Sequence, residues 1–109
     1  MAKKWKGLEK LAEECNELGV ELMKLSIFPT GNHPGRKRSL VVSTEEEIAD
    51  VLAAAEYFIA RHKLDRGKID KRKELKIRKF SKWWGDPYGI KKKKIKKSPK
   101  VKTQRVPAA

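Results

Sequence analysis

Six residues near the N-terminus, Leu8, Leu11, Cys15, Leu18, Leu22 and Leu25, follow one another at spacings of 3, 4, 3, 4 and 3. That interval fits the 3.6-residue turn of an α-helix and excludes a strand, in which side chains alternate with period two. The spacing predicts a helix over roughly residues 4–25 with one apolar seam along it. Ser26 to Leu40 then breaks the pattern. Pro29, Gly31, Asn32, Pro34 and Gly35 disfavour regular structure, and Arg36, Lys37 and Arg38 make this loop basic and suited to an anion. A second helix is expected from near Ser43 to about His62. Ser43 and Glu46 have capping-box spacing there, and Glu45, Glu46 and Glu47 favour the positive end of the helix dipole. Its apolar face is Ile48, Val51, Leu52, Ala55, Phe58 and Ile59, while small Ala53, Ala54 and Ala55 allow close packing. After a turn from Leu64 to Gly67, Ile69 to Trp84 reads as a third helix with Ile69, Ile77, Phe80 and Trp84 roughly on one side, stopped by Gly85 and Pro87. The fold class is all-α, an antiparallel helical bundle.

Composition bounds what this bundle can do alone. With 109 residues and 39% hydrophobic content, one domain has little apolar surface from which to build a full core, so oligomerisation is expected. A single cysteine, Cys15, excludes an intramolecular disulfide, and no Cys/His cluster has zinc-site spacing, which fits a reducing cytoplasm. No apolar region follows the basic N-terminal residues as in a secretion signal, and the longest apolar run, Val51 to Ala55, is too short to span a bilayer. A soluble cytoplasmic protein with no membrane partner is the expectation. The net charge of +14 is unevenly placed: residues 1–60 sum to −2 and residues 61–109 to +16. From Lys91 onward there are nine Lys/Arg, no acid and two prolines, so residues 90–109 are expected to form a disordered basic tail behind a helical domain of residues 1–89.

Chemistry concentrates in the acidic half. Glu13, Glu14 and Glu17 form E-E-x-x-E in the first helix, and Glu47 and Asp50 form E-x-x-D in the second. Residues three apart on a helix point in similar directions, so each E-x-x-E/D pair presents two carboxylates together. If the two helices pack antiparallel, Glu14, Glu17, Glu47 and Asp50 can converge at the edge of the seam. Glutamate is also a good helix former, and either motif alone reads equally well as a solvated face. Two such motifs beside two apolar seams favour convergence. Like charges in one place raise each other's pKa and call for protons or cations; an all-oxygen donor set without Cys or His selects Mg²⁺, with Mn²⁺ as substitute. Mg²⁺ commonly completes its octahedron with water and substrate phosphates, which makes a triphosphate the natural ligand.

The segment Leu11-Ala-Glu-Glu-Cys-Asn-Glu-Leu, a loop, and Glu45-Glu-Glu-Ile-Ala-Asp-Val-Leu resemble the MazG-like all-α nucleotide pyrophosphohydrolases in the order, spacing and apolar flanks of their motifs. The resemblance covers roughly residues 8–84 and extends to short, single-domain phage versions. It implies hydrolysis of a (deoxy)nucleoside triphosphate to the monophosphate and pyrophosphate, on Mg²⁺ held by Glu14, Glu17, Glu47 and Asp50. Glu13 would serve as a further ligand, a base or a supporting group, and the site would be built within a homodimer or homotetramer. Arg36, Lys37 and Arg38 in the loop and Lys76, Lys79 and Lys82 in the third helix are candidates to neutralise phosphates. Trp5, Tyr57, Trp83 and Trp84 are candidates to stack on the base, though Trp84 reads better as a core or interface ring. The competing reading is a helical module that binds nucleic acid non-specifically through its basic C-terminal half, with the acidic helices as scaffold.

Overall fold

A computed structural model describes residues 4–88. Three helices, α1 (Leu8–Ile27), α2 (Leu40–Arg61) and α3 (Arg66–Trp84), make the chain all-α, and no strand occurs among the described residues. None of these helices is long and apolar enough to cross a membrane. The chain divides at Arg66/Gly67 into two units, the first an α1–α2 hairpin and the second holding α3. The basic segment of residues 90–109 lies outside the described residues.

Both ends of the hairpin are fastened by local contacts. At the open end, Gly7 precedes α1 at φ 94°, a left-handed conformation that glycine adopts freely, and a Cβ there would press to 3.3 Å from the Tyr57 ring on α2. Trp5 stacks on Phe58 at 5.9 Å between ring centroids, and His62 Nε2 donates to the Lys6 carbonyl at 2.9 Å. At the closed end, the Leu40 N–H donates to the Gly31 carbonyl at 2.7 Å. Gly31, at φ 89°, lets Val41 approach to 3.1 Å of where its Cβ would stand. These contacts hold α1 and α2 antiparallel and fold the connecting loop back onto the start of α2.

The seam differs from the one the leucine spacing predicts. The side of α1 turned toward α2 is Leu11, Glu14, Leu18, Glu21, Leu25 and Phe28, all half-buried, whereas Leu8, Cys15 and Leu22 are exposed. On α2, Val51, Ala55, Phe58 and Ile59 face inward as expected, but Ile48 and Leu52 are exposed. At about 100° per residue, Leu8, Cys15 and Leu22 fall on one flank of α1, and antiparallel pairing puts them on the same side of the hairpin as Val41, Ile48 and Leu52. Part of the predicted core is therefore an exposed apolar flank. Leu40, at 0% exposure, is the one buried hydrophobic among the described residues.

The start of α2 is also corrected. The helix begins at Leu40, capped by Ser39, whose hydroxyl accepts from the Val41 N–H at 3.0 Å. Ser43 lies within the helix, buried, and its hydroxyl accepts from Arg36 Nη2 at 3.1 Å, so the Ser43/Glu46 capping box does not form. The reason is Leu40: burying it requires helix one turn earlier than the acidic run suggests. Glu46 instead pairs with Arg38 on the exposed surface. Ser39→Ala is expected to cost about 1 kcal/mol, as loss of an N-cap does, whereas Glu46→Ala removes an exposed ion pair worth at most about 1 kcal/mol. Urea unfolding at fixed protein concentration checks the order; a larger loss for Glu46→Ala would restore the capping box.

Candidate metal centre

The glutamates fall where the seam needs filling. Because Glu14 and Glu21 alternate with Leu11, Leu18 and Leu25 on the inward side of α1, their carboxylates lie between the helices. Glu47 takes the matching place on α2, one turn after the buried Ser43 and Thr44. One carboxylate oxygen from each of Glu14, Glu47 and Asp50 lies within 4.8 Å of the others. Glu14 and Glu47 are half-buried and Asp50 is exposed, so the group opens to solvent on the Asp50 side. Glu17 is exposed at the rim outside that set, near enough for its charge to act on both Glu14 and Glu47.

Two oxygens in this group are buried and have no hydrogen-bond donor among the described residues. Glu14 Oε1 and Glu47 Oε1 are buried and without a partner, as is the Thr44 hydroxyl one turn before Glu47. The Glu14 side chain is only 15% exposed, and its other oxygen is 4.0 Å from Lys10 Nζ. Burial raises the Glu14 pKa above the ordinary 4.5, and the charges of Asp50 and Glu17 raise it further. Burial likewise raises that of Glu47, followed by the charges of Glu17, Asp50 and Glu14. A proton or a cation in such a group would relieve both the burial and the mutual repulsion. An octahedral Mg²⁺ about 2.1 Å from each ligand spaces its oxygens at most about 4.2 Å apart. The observed set, within 4.8 Å, is somewhat wider than that range, and its all-oxygen chemistry suits a hard ion.

Positive charge stands at both ends of the acidic row. Lys10 pairs with Glu13 at 2.8 Å near the start of α1. At the other end, Arg36 Nη1 is 3.8 Å from Glu21 while Nη2 is held by Ser43, and Lys24 is 3.5 Å from Glu21. Of the three basic loop residues, Arg36 alone reaches the row; Lys37 is exposed and Arg38 is turned to Glu46. Glu13 points out to Lys10 and not into the carboxylate group. Trp5 and Tyr57 belong to the open end of the hairpin, and Trp5 there lines an open depression with Glu9, Lys10 and Glu13. Lys76, Lys79, Lys82 and Trp83 are on α3, in the second unit. Glu21 and Thr44 do not stand out in the sequence, and Ser43 stands out there only as a cap. The available signal was Glu21 itself, which continues the Glu14 stripe after two helical turns.

A glutamate that holds its proton more tightly in the fold than in the unfolded chain contributes no penalty below about pH 4.5. It destabilises the fold as pH rises through its raised pKa, fully so above it. In EDTA, the thermal midpoint of the wild type relative to Glu47→Gln is therefore expected to fall as pH is raised from about 4 to about 7. Parallel profiles for the two proteins would show that Glu47 carries no such penalty.

No family model, curated protein or solved structure matches this chain.

Proposed function

We propose that the protein is a Mg²⁺-dependent nucleoside triphosphate pyrophosphohydrolase of the MazG-like kind, with Glu14, Glu47 and Asp50 as metal ligands and Glu17 completing the set from the rim. The observation that carries this reading is the group of three carboxylates within 4.8 Å, two of them with a buried, unpartnered oxygen. A stripe of solvated glutamates would place its oxygens in water. Here the helix seam withholds water from them, and a cation is the partner that fits their charge.

Mg²⁺ bound there would neutralise the polyphosphate and lower the pKa of a coordinated water. The overall reaction adds one water across the α–β anhydride, releasing monophosphate and pyrophosphate. The remaining roles fall to the chain. Glu14 and Glu47, placed in the seam, would hold the ion, while the exposed Asp50 and Glu17 would leave one side open to substrate. Arg36, preorganised by Ser43 and Glu21, offers a guanidinium fork for a phosphate at one end of the row. Trp5 lies three residues before α1, at the open end of the hairpin, where its partly exposed indole suits a stacked base.

A homodimer or homotetramer belongs to the same reading. Two helices that bury a single hydrophobic residue fully cannot offset their conformational entropy alone. The flank of Leu8, Cys15, Leu22, Val41, Ile48 and Leu52 lies away from the Glu17 and Asp50 edge, so a second copy can cover it without closing the site.

Pyrophosphate release from NTPs and dNTPs tests the reading. Turnover with Mg²⁺ or Mn²⁺, yielding equimolar monophosphate and pyrophosphate and abolished by EDTA, is expected. Glu47→Gln and Asp50→Asn should each reduce kcat/KM by at least about a hundredfold, beyond what losing a hydrogen bond that supports a metal ligand costs. Sedimentation should give an unchanged dimer or tetramer. Orthophosphate as product, or normal turnover in either variant, would refute the assignment.

A further inference from the structure

α3 carries a chemistry unlike the hairpin's. Nine of its 19 residues are Lys or Arg against Asp70 and Glu74. Lys73 is 3.8 Å from Asp70, but among the described residues Arg72, Lys76, Lys79 and Lys82 have no carboxylate within ion-pairing distance. At about 100° per residue, Arg72, Lys76, Lys79 and Trp83 follow one another at spacings of 4, 3 and 4 along one stripe. That stripe runs into a cluster of rings. Phe80 is 5.9 Å from Trp83 and 5.4 Å from Trp84, and the two indoles meet edge-on at 5.5 Å and 82°. The cluster is not a core: Trp83 is 59% and Trp84 75% exposed.

We propose that the C-terminal half of α3 is a binding surface for single-stranded nucleic acid, with Arg72, Lys76 and Lys79 along the phosphates and Trp83 and Trp84 stacking on bases. Positive charge alone would suit any polyanion, but exposed indoles at the end of a cationic rail favour one that also has accessible π-faces. A duplex hides the faces of its bases; a single strand offers them. A lipid surface fits less well, because Lys73 and Lys76 fall within about 40° of the Ile69–Phe80 line and break the apolar stripe an interfacial helix inserts. Residues 91–105 follow in the chain with nine further Lys/Arg and no acid, adding charge of the same sign. Binding is thus salt-dependent, tolerant of base sequence and selective for unpaired strands. It is independent of Glu14, Glu47 and Asp50, so it stands or falls apart from the hydrolase.

The test uses the full-length chain and fluorescence anisotropy with labelled oligothymidylate and a duplex of equal length, each about 20 nucleotides, long enough for one site of this kind. The wild type is expected to bind the single strand more tightly than the duplex. Trp83→Ala/Trp84→Ala should weaken single-strand binding at least about tenfold, in line with the loss of stacking, and duplex binding about twofold or less. Trp83→Phe/Trp84→Phe, which keeps the rings, should restore most of the affinity, separating stacking from misfolding. Equal affinity for both forms that the alanine substitutions leave unchanged would overturn the proposal in favour of charge alone. Binding to phosphatidylserine vesicles with no binding to the oligonucleotide would overturn it in favour of a membrane.

Discussion

Glu14 and Glu47 meet in the space between two packed helices, each stripped of part of its water and within reach of the other's charge. Neutral leucines in those places would have stabilised the hairpin directly, so carboxylates there oppose folding at neutral pH unless a proton or a cation accompanies them. The surrounding structure accommodates this cost. Gly7 and Gly31 let the two ends of the hairpin close, which fixes the register that brings Glu14 opposite Asp50. Ser43 orients Arg36 at one end of the row and Lys10 pairs near the other, so cationic side chains flank the carboxylates without entering their centre. That arrangement leaves the carboxylates in the middle of the row without a cationic side chain between them.

The same constraint shapes the remaining surfaces. Inward positions given to glutamate are lost to the core, and apolar side chains that could have filled it, such as Leu22, Ile48 and Leu52, lie outside on the opposite flank. A hairpin so built has one polar edge suited to chemistry and one apolar flank suited to association. The second unit separates its roles differently, with the cationic stripe and the rings of α3 adjoining on one helix.

Helices and their order were legible in the sequence because 3.6-residue periodicity is written in the placement of Leu11, Leu18 and Leu25 and of Val51, Ala55 and Phe58. Of the expected convergence, the structure brings Glu14 together with Glu47 and Asp50, while Glu17 stays at the rim and Glu13 turns to Lys10. Periodicity counts apolar residues only, however, and so chose Leu8, Cys15 and Leu22 over Glu14 and Glu21; a glutamate facing a helix partner has the same letter as one facing water. The start of α2 was misplaced for a related reason: the acidic run marks a good N-terminus, but burial of Leu40 moves the helix back and makes Ser39 its cap. Arg36 was indistinguishable from Lys37 and Arg38 until the turn at Gly31 settled which one reaches Glu21.

That the carboxylates of the seam form a cation site is tested most closely by direct Mn²⁺ binding followed by electron paramagnetic resonance. Saturable loss of the free-ion signal in the wild type, competed by Mg²⁺ and absent in Glu47→Gln with helix content unchanged, is the expected result. Equal Mn²⁺ uptake by wild type and Glu47→Gln, or none by either, would contradict it and return the acidic row to the role of scaffold.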